Sequence, residues 1–210
     1  MKIRLALLCA ALASGVALAA EPTPKADPAK AQQTASQVCA ACHGAAGQSA
    51  IPANPNLAGQ IPEYTAKQLM NFKAANGKPA MRENPIMAGM VANLTPEDMR
   101  NLAAYYATQT PGTGAAHNTA TVELGQQIFR GGIVSQGIPA CGSCHGATGA
   151  GIPAQYPRLA GQHPEYIEAQ MKAWRTGDRA NDAGKMMRTI AAKMSDVQIK
   201  AVADYIAGLR

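Results

Sequence analysis

The chain is short of the residues that usually build a core unaided. Aromatics make up 4% of its 210 residues, with one Trp and two Phe. Charged residues make up only 15%. The formal net charge of +6 is too mild to argue for nucleic acid, and suits docking on an acidic partner or a membrane surface. Patterns of β-strand type are scarce, which points away from sheet architectures. After residue 20 no run is long and apolar enough to cross a bilayer, so the expectation is a soluble or at most peripheral protein. Cysteine and histidine are rare, at five and four, so the places where they gather carry weight.

The first apolar run, Leu5 to Ala20, follows Lys2 and Arg4 and ends in Ala17-Leu18-Ala19-Ala20. A basic start, an apolar middle and a small-residue end describe a secretory signal peptide over residues 1–20, cut after Ala19 or Ala20. Cys9 lies inside it. The exported chain then keeps four cysteines, and all of them fall in two copies of one pentapeptide.

These copies are Cys39-Ala40-Ala41-Cys42-His43 and Cys141-Gly142-Ser143-Cys144-His145. Cys-x-x-Cys-His is the attachment pattern of c-type haem. The two thiols add to the haem vinyl groups, and the adjacent His sits beside the iron as an axial ligand. Zinc sites and thioredoxin-like redox centres also use Cys-x-x-Cys. Neither explains a His directly after each pair, nor a second full copy. The expectation is two covalently bound haem c groups, held by Cys39 and Cys42 with His43, and by Cys141 and Cys144 with His145.

The repeat extends well beyond the signatures. Gly44-Ala45-Ala46-Gly47 and Leu57-Ala58-Gly59-Gln60-Ile61-Pro62-Glu63-Tyr64 match Gly146-Ala147-Thr148-Gly149 and Leu159-Ala160-Gly161-Gln162-His163-Pro164-Glu165-Tyr166. Each Pro-Glu-Tyr opens a helical stretch, with Ile167, Met171 and Trp174 at core spacing and Leu69 and Phe72 in the matching places. Thr95-Pro96-Glu97-Asp98 and Ser195-Asp196-Val197-Gln198 read as capping segments of a closing helix. Its apolar face is Met99, Leu102, Ala103 and Tyr106 in one half, and Ile199, Val202, Ala203 and Ile206 in the other. A further helix is expected before each signature, around Ala29–Val38 and Val122–Phe129. The resulting organisation is all-α: a first domain over 21–108, a linker over 109–118 rich in turn formers and small residues, and a second domain over 119–210. The first half carries 7 basic and 6 acidic residues, the second 10 and 7.

The second axial ligand decides what such a site can do. An open position permits ligand binding and catalysis, whereas a methionine thioether closes the iron and raises its potential. Ten Met are present. Aligning the closing helices at Thr95 and Ser195 places Met87 on Met187, the one late position that is Met in both halves. Met87 and Met187 are therefore expected as the sixth ligands, with Met90 and Met186 next in line. Met70 and Met171 are expected in the core of the middle helix. His163 aligns with Ile61, and His117 has no counterpart, so both are expected as surface histidines.

With these elements placed, the chain resembles the dihaem cytochrome c4 family over essentially its whole exported length. Further points of likeness are Phe129-Arg130-Gly131-Gly132, Arg179-Ala180-Asn181-Asp182, and Met186-Met187-Arg188 with Ala191-Ala192-Lys193. The resemblance implies two small class I cytochrome c domains related by a pseudo-twofold axis, with haem propionate edges facing across the interface. It also implies a periplasmic electron carrier, often loosely membrane-associated. Its donor would be a quinol-cytochrome c reductase and its acceptor a terminal oxidase. A non-catalytic role follows from Met closure. Alternatives are the electron-accepting haem subunit of a dehydrogenase, and a dihaem peroxidase-type enzyme.

Each repeat, at about 85–95 residues and with so few aromatics, is small for a self-sufficient core. Covalent haem would supply the missing apolar mass, and folding should depend on it. A chain carrying Cys39→Ala and Cys42→Ala should lose cooperative unfolding of its first domain. A compact, cooperatively melting first domain without haem, followed by circular dichroism, contradicts this.

Overall fold

The computed structural model describes residues 25–75 and 77–210. The signal peptide expected over residues 1–20 lies outside the described residues. Those residues form helices joined by loops, with only isolated β-bridges among them. In the first domain, α1 (Pro28–Thr34) runs through a wider π turn, Ala35–Cys39, into α2 (Ala40–His43). Helices α3 (Pro62–Phe72), α4 (Pro85–Val91) and α5 (Pro96–Ala107) follow. The second domain repeats the order with α6 (Val122–Gly131), α7 (Cys141–His145), α8 (Pro164–Thr176), α9 (Met186–Ala191) and α10 (Asp196–Ala207).

The expected starts are present, for local reasons. Pro28, Pro62, Pro85, Pro96 and Pro164 each occupy the first turn, where the missing N–H costs nothing. Thr95 and Ser195 both close full capping boxes with the residue three further on. The domains differ ahead of the signature. In the first, the opening helix runs straight into it. In the second, α6 stops at Gly131, and a short loop pinned by the reciprocal backbone bonds of Ile133 and Ile138 intervenes. That loop buries Ile138.

The opening and closing helices cross in each half. In the second domain the crossing belongs to one cluster that includes Ile128, Phe129, Ile199, Val202 and Ile206, and extends to Ile167, Met171 and Trp174. The first domain has two smaller clusters. One joins Ala31, Ala35, Leu102 and Tyr106, the other Phe72, Val91 and Met99; Leu69 and Leu94 pack against both. Met171 is buried as expected, but Met70 is 38% exposed. Its place in the core is taken by Leu69, one position earlier on α3, because Leu69 and not Met70 matches Met171 in the repeat.

The segment between the domains is threaded closely against both. Thr110 accepts from the Gln48 side chain at 2.8 Å. Both carboxylate oxygens of Asp204, on α10, accept the backbone N–H groups of His117 and Asn118, at 2.8 and 3.1 Å. Gly114 serves close approach as well as turning, since an added Cβ there would run into the Ala207 carbonyl oxygen.

The crossing of α6 and α10 depends on Gly125, where an added Cβ would run into the carbonyl oxygen of Ala201 and the Cβ of Tyr205. Gly125→Ala should cost about 1–3 kcal/mol through overpacking. The loss should appear in guanidinium unfolding of the second domain, and wild-type stability would refute the close crossing.

Candidate haem centres

Each signature folds as a short helical turn that aims its histidine inward. His43 and His145 are both 8% exposed. His43 Nδ1 lies 2.9 Å from the carbonyl oxygen of Pro55, and His145 Nδ1 lies 3.0 Å from that of Pro157. A carbonyl can only accept, so Nδ1 carries the proton. Nε2 then keeps its lone pair in the tautomer that ligates a metal. Burial pushes both imidazoles below the ordinary histidine pKa, against the opposing pull of the proline carbonyls.

The thiols are free of disulfides. Cys39 packs among Ala31, Ala35, Leu102 and Tyr106, and Cys141 packs on the cluster of the second domain. Burial raises the Cys39 thiol and pushes Cys141 up to about 11. Both thiols stay protonated near neutrality, which disfavours the thiolate chemistry of redox-active pairs. Among the described residues no cluster of three or more His, Cys, Asp or Glu could hold a metal ion. Two thiols, one neutral imidazole and apolar walls suit an attached haem better than a bare cation.

The methionines separate by exposure. Met87 packs against Phe72, Val91 and Met99, and Met187 against the second-domain cluster. Met90 and Met186 are 48% and 39% exposed. Asn84 caps α4 by accepting the N–H of Met87 at 2.9 Å. The second domain enters α9 differently. Lys185 takes a left-handed conformation (φ 58°), and Asp182 holds both the N–H and the guanidinium of Arg188, at 3.0 and 2.7 Å.

Sequence reasoning missed the residues that hold the halves together. Gln60 and Gln162, each 8% exposed, act as reciprocal clasps. Gln60 accepts the N–H of Arg158 at 2.8 Å and donates to its carbonyl at 2.9 Å. Gln162 does the same to Asn56, at 2.8 and 3.0 Å. His163, expected on the surface, is half-buried and donates through Nε2 to the carbonyl of Ser49 in the other domain at 2.9 Å. Its difference from Ile61 makes it an interface residue on one side only. His117 is exposed. The signal for the clasps was present: the repeated Leu-Ala-Gly-Gln puts a glycine with positive φ before each glutamine, and His43 to Pro55 matches His145 to Pro157.

Comparison with known proteins agrees with this geometry. The cytochrome c family model matches the chain twice, at residues 28–110 and 122–210. Cytochrome c4 of Azotobacter vinelandii is 43% identical over 187 residues, spanning 86% of this chain and 89% of that protein. The thiosulfate dehydrogenase electron acceptor of Thiomonas intermedia (strain K12) is 38% identical over 172 residues, 80% of this chain and 77% of that one. The crystal structure of reduced recombinant cytochrome c4 from Pseudomonas stutzeri matches with a TM-score of 0.83 at 38% identity, covering 88% of this chain and 100% of that one. The chain is thus an all-α c-type cytochrome of two cytochrome c domains with two covalently bound haem c groups. Within that class it belongs to the cytochrome c4 family of dihaem electron-transfer proteins.

Proposed function

We propose that the exported chain is a periplasmic electron carrier whose two haem irons are both closed by methionine. Cys39 and Cys42 would hold the haem of the first domain through thioether bonds, and Cys141 and Cys144 that of the second. His43 and Met87 would ligate the first iron, His145 and Met187 the second. Residues 21–108 and 119–210 form the two haem domains, joined by 109–118, after removal of 1–20. The observation that carries this reading is the contrast in exposure. Met87 and Met187 face the packed interior, whereas Met90 and Met186 face solvent.

When bound, haem c supplies a one-electron couple between ferric and ferrous iron. The protein's part is to keep ligation constant through that change. Nδ1–H bonds to Pro55 and Pro157 hold the imidazoles in one tautomer. Asn84 fixes the start of the helix bearing Met87. Both tethers limit reorganisation, which favours transfer over catalysis, because no coordination position is left for substrate. Electrons would come from a quinol-cytochrome c reductase and leave to a terminal oxidase. No helix among the described residues is long and apolar enough to cross a membrane.

A second reading is the electron-accepting partner of a dehydrogenase. It is favoured by the 38% identity to a thiosulfate dehydrogenase electron acceptor. Reduction by a purified dehydrogenase of that type, faster than by a quinol-cytochrome c reductase, would favour it.

The ferric protein should show the weak far-red methionine-to-iron band, and the reduced protein should not bind carbon monoxide. Met187→Ala should remove about half of that band and open one iron to carbon monoxide, while Met186→Ala leaves both unchanged. Absence of the band in the wild type together with ready carbon monoxide binding would sink the carrier reading.

A further inference from the structure

At the centre of the interface lie two buried arginines, Arg82 at 8% and Arg179 at 6% exposure. Their backbones pair as an antiparallel bridge, so two like charges face each other away from water. Each guanidinium stacks on an aromatic ring of its own domain, Arg82 on Phe72 at 4.6 Å and Arg179 on Trp174 at 4.3 Å. Each then reaches into the other domain. Arg82 donates through Nη2 to Tyr166 at 2.9 Å and to Gln170 at 2.8 Å. Arg179 donates through Nη2 to Tyr64 at 3.0 Å and to Gln68 at 3.1 Å. Within their own domains, Arg82 also binds Gln68 at 2.7 Å and Arg179 binds Gln170 at 2.8 Å. Asn181 braces the group by donating to Gln68 and Asn71.

Every one of these acceptors is neutral. The ion pairs of the described residues involve Lys30, Lys172, Arg175 and Arg188, and neither Arg82 nor Arg179. Buried charge without a counter-ion is strongly disfavoured, and like charges set opposite each other add to the penalty. The field is felt locally. Burial alone would raise the Tyr64 phenol, but Arg179 and Arg82, with a smaller pull from Lys67, draw it below its ordinary pKa. An anion from outside the polypeptide would resolve the imbalance. The rings beneath the arginines say where it would come from. Phe72 shares its cluster with Met87, and Trp174 shares its cluster with Met187 and Cys141. The guanidiniums therefore stack on rings that pack against the haem-site side chains, and the propionate carboxylates of an attached haem c are the anions such a site would bring.

We infer that Arg82 and Arg179 form one interdomain clamp that takes the propionates of both haems as counter-ions, so that each arginine sets the reduction potential of the haem in both domains. This rests on the two-haem carrier reading above and adds a coupling between its halves. A cation close to a haem favours the less positive ferrous state and raises the potential, with little screening by salt at a buried site. Because each fork spans the interface, removing one charge reaches both irons.

Potentiometric titration of the holoprotein tests it. R82Q and R179Q should each lower both midpoint potentials, at high as well as low ionic strength. R82K, which keeps the charge, should bring both back toward the wild-type values. A shift confined to the haem of the mutated domain, or no shift, overturns the shared clamp. Failure of R82K to restore either potential assigns Arg82 a packing role and overturns it too. If neither neutral variant takes up both haems, a structure of the wild-type holoprotein decides. Guanidinium nitrogens about 2.7–2.9 Å from propionate oxygens support the clamp, and guanidiniums with only their neutral partners refute it. The far-red methionine band separates the two claims: its absence from wild type removes the closed-carrier reading without touching the arginine–propionate contact.

Discussion

Each half of the molecule hangs on the loop that follows its signature, because that loop holds the histidine and reaches the other domain at once. Pro55 fixes the His43 ring through its carbonyl, and the next residue, Asn56, is the one gripped by Gln162. Pro157 fixes His145, and the next residue, Arg158, is gripped by Gln60. Ring orientation and domain orientation are therefore set by adjacent peptide units. Each glutamine amide both donates to and accepts from one backbone residue, as a strand neighbour would, and it needs no strand to do so. The glutamine Oε1 also accepts the N–H of the following residue, Ile61 or His163. That leaves the side chain little freedom to swing away. A change on one side of the interface is felt at the histidine of the other side after very few covalent bonds.

The halves are copies with different local solutions, and the differences are physical. The first domain enters its methionine helix through an asparagine cap, the second through a left-handed lysine and an Asp182–Arg188 pair. A non-glycine residue held at positive φ is costly, on the order of 1 kcal/mol, and the second domain tolerates it beside Met187. The second domain has one continuous cluster, whereas the first is divided into two that share Leu69 and Leu94.

The opening, middle and closing helices, the caps of the closing pair and the signature residues were legible because their signals are local, whereas the short helices α4 and α9 were not foreseen. Pro at a first turn, Thr95 with Asp98, and Cys-x-x-Cys-His each need only a few neighbouring residues. Met87 and Met187 stood out because the repeat keeps their distance to the closing helix constant. The arginines did not, because Phe72 precedes Arg82 by ten residues while Trp174 precedes Arg179 by five. An alignment anchored on either flank sets Arg82 and Arg179 out of register, although folding brings their backbones together. His163 was misplaced for a related reason: its lack of a counterpart argued against a shared role, and its contact with Ser49 is an unshared one. Met70 was misplaced by composition, since a methionine in a buried helix is a good core candidate until its register is compared with Met171. Interface residues pack against a surface that no short window of sequence contains.

A hydrophobic interface would have joined two such domains at lower electrostatic cost. This one instead places amides, phenols and two guanidiniums where the domains meet. Polar networks of this kind are orientation-specific, because a partner displaced by an ångström leaves donors unsatisfied in a dry site. Apolar surfaces can slide with smaller penalties. For a molecule that holds two redox cofactors in one chain, a fixed separation and orientation matters more than the strength of association. The covalent linker already supplies a high effective concentration of one domain for the other. The interface is therefore free to be chosen for geometry, and the tether and the glutamine clasps help to hold the twin arginines opposite one another.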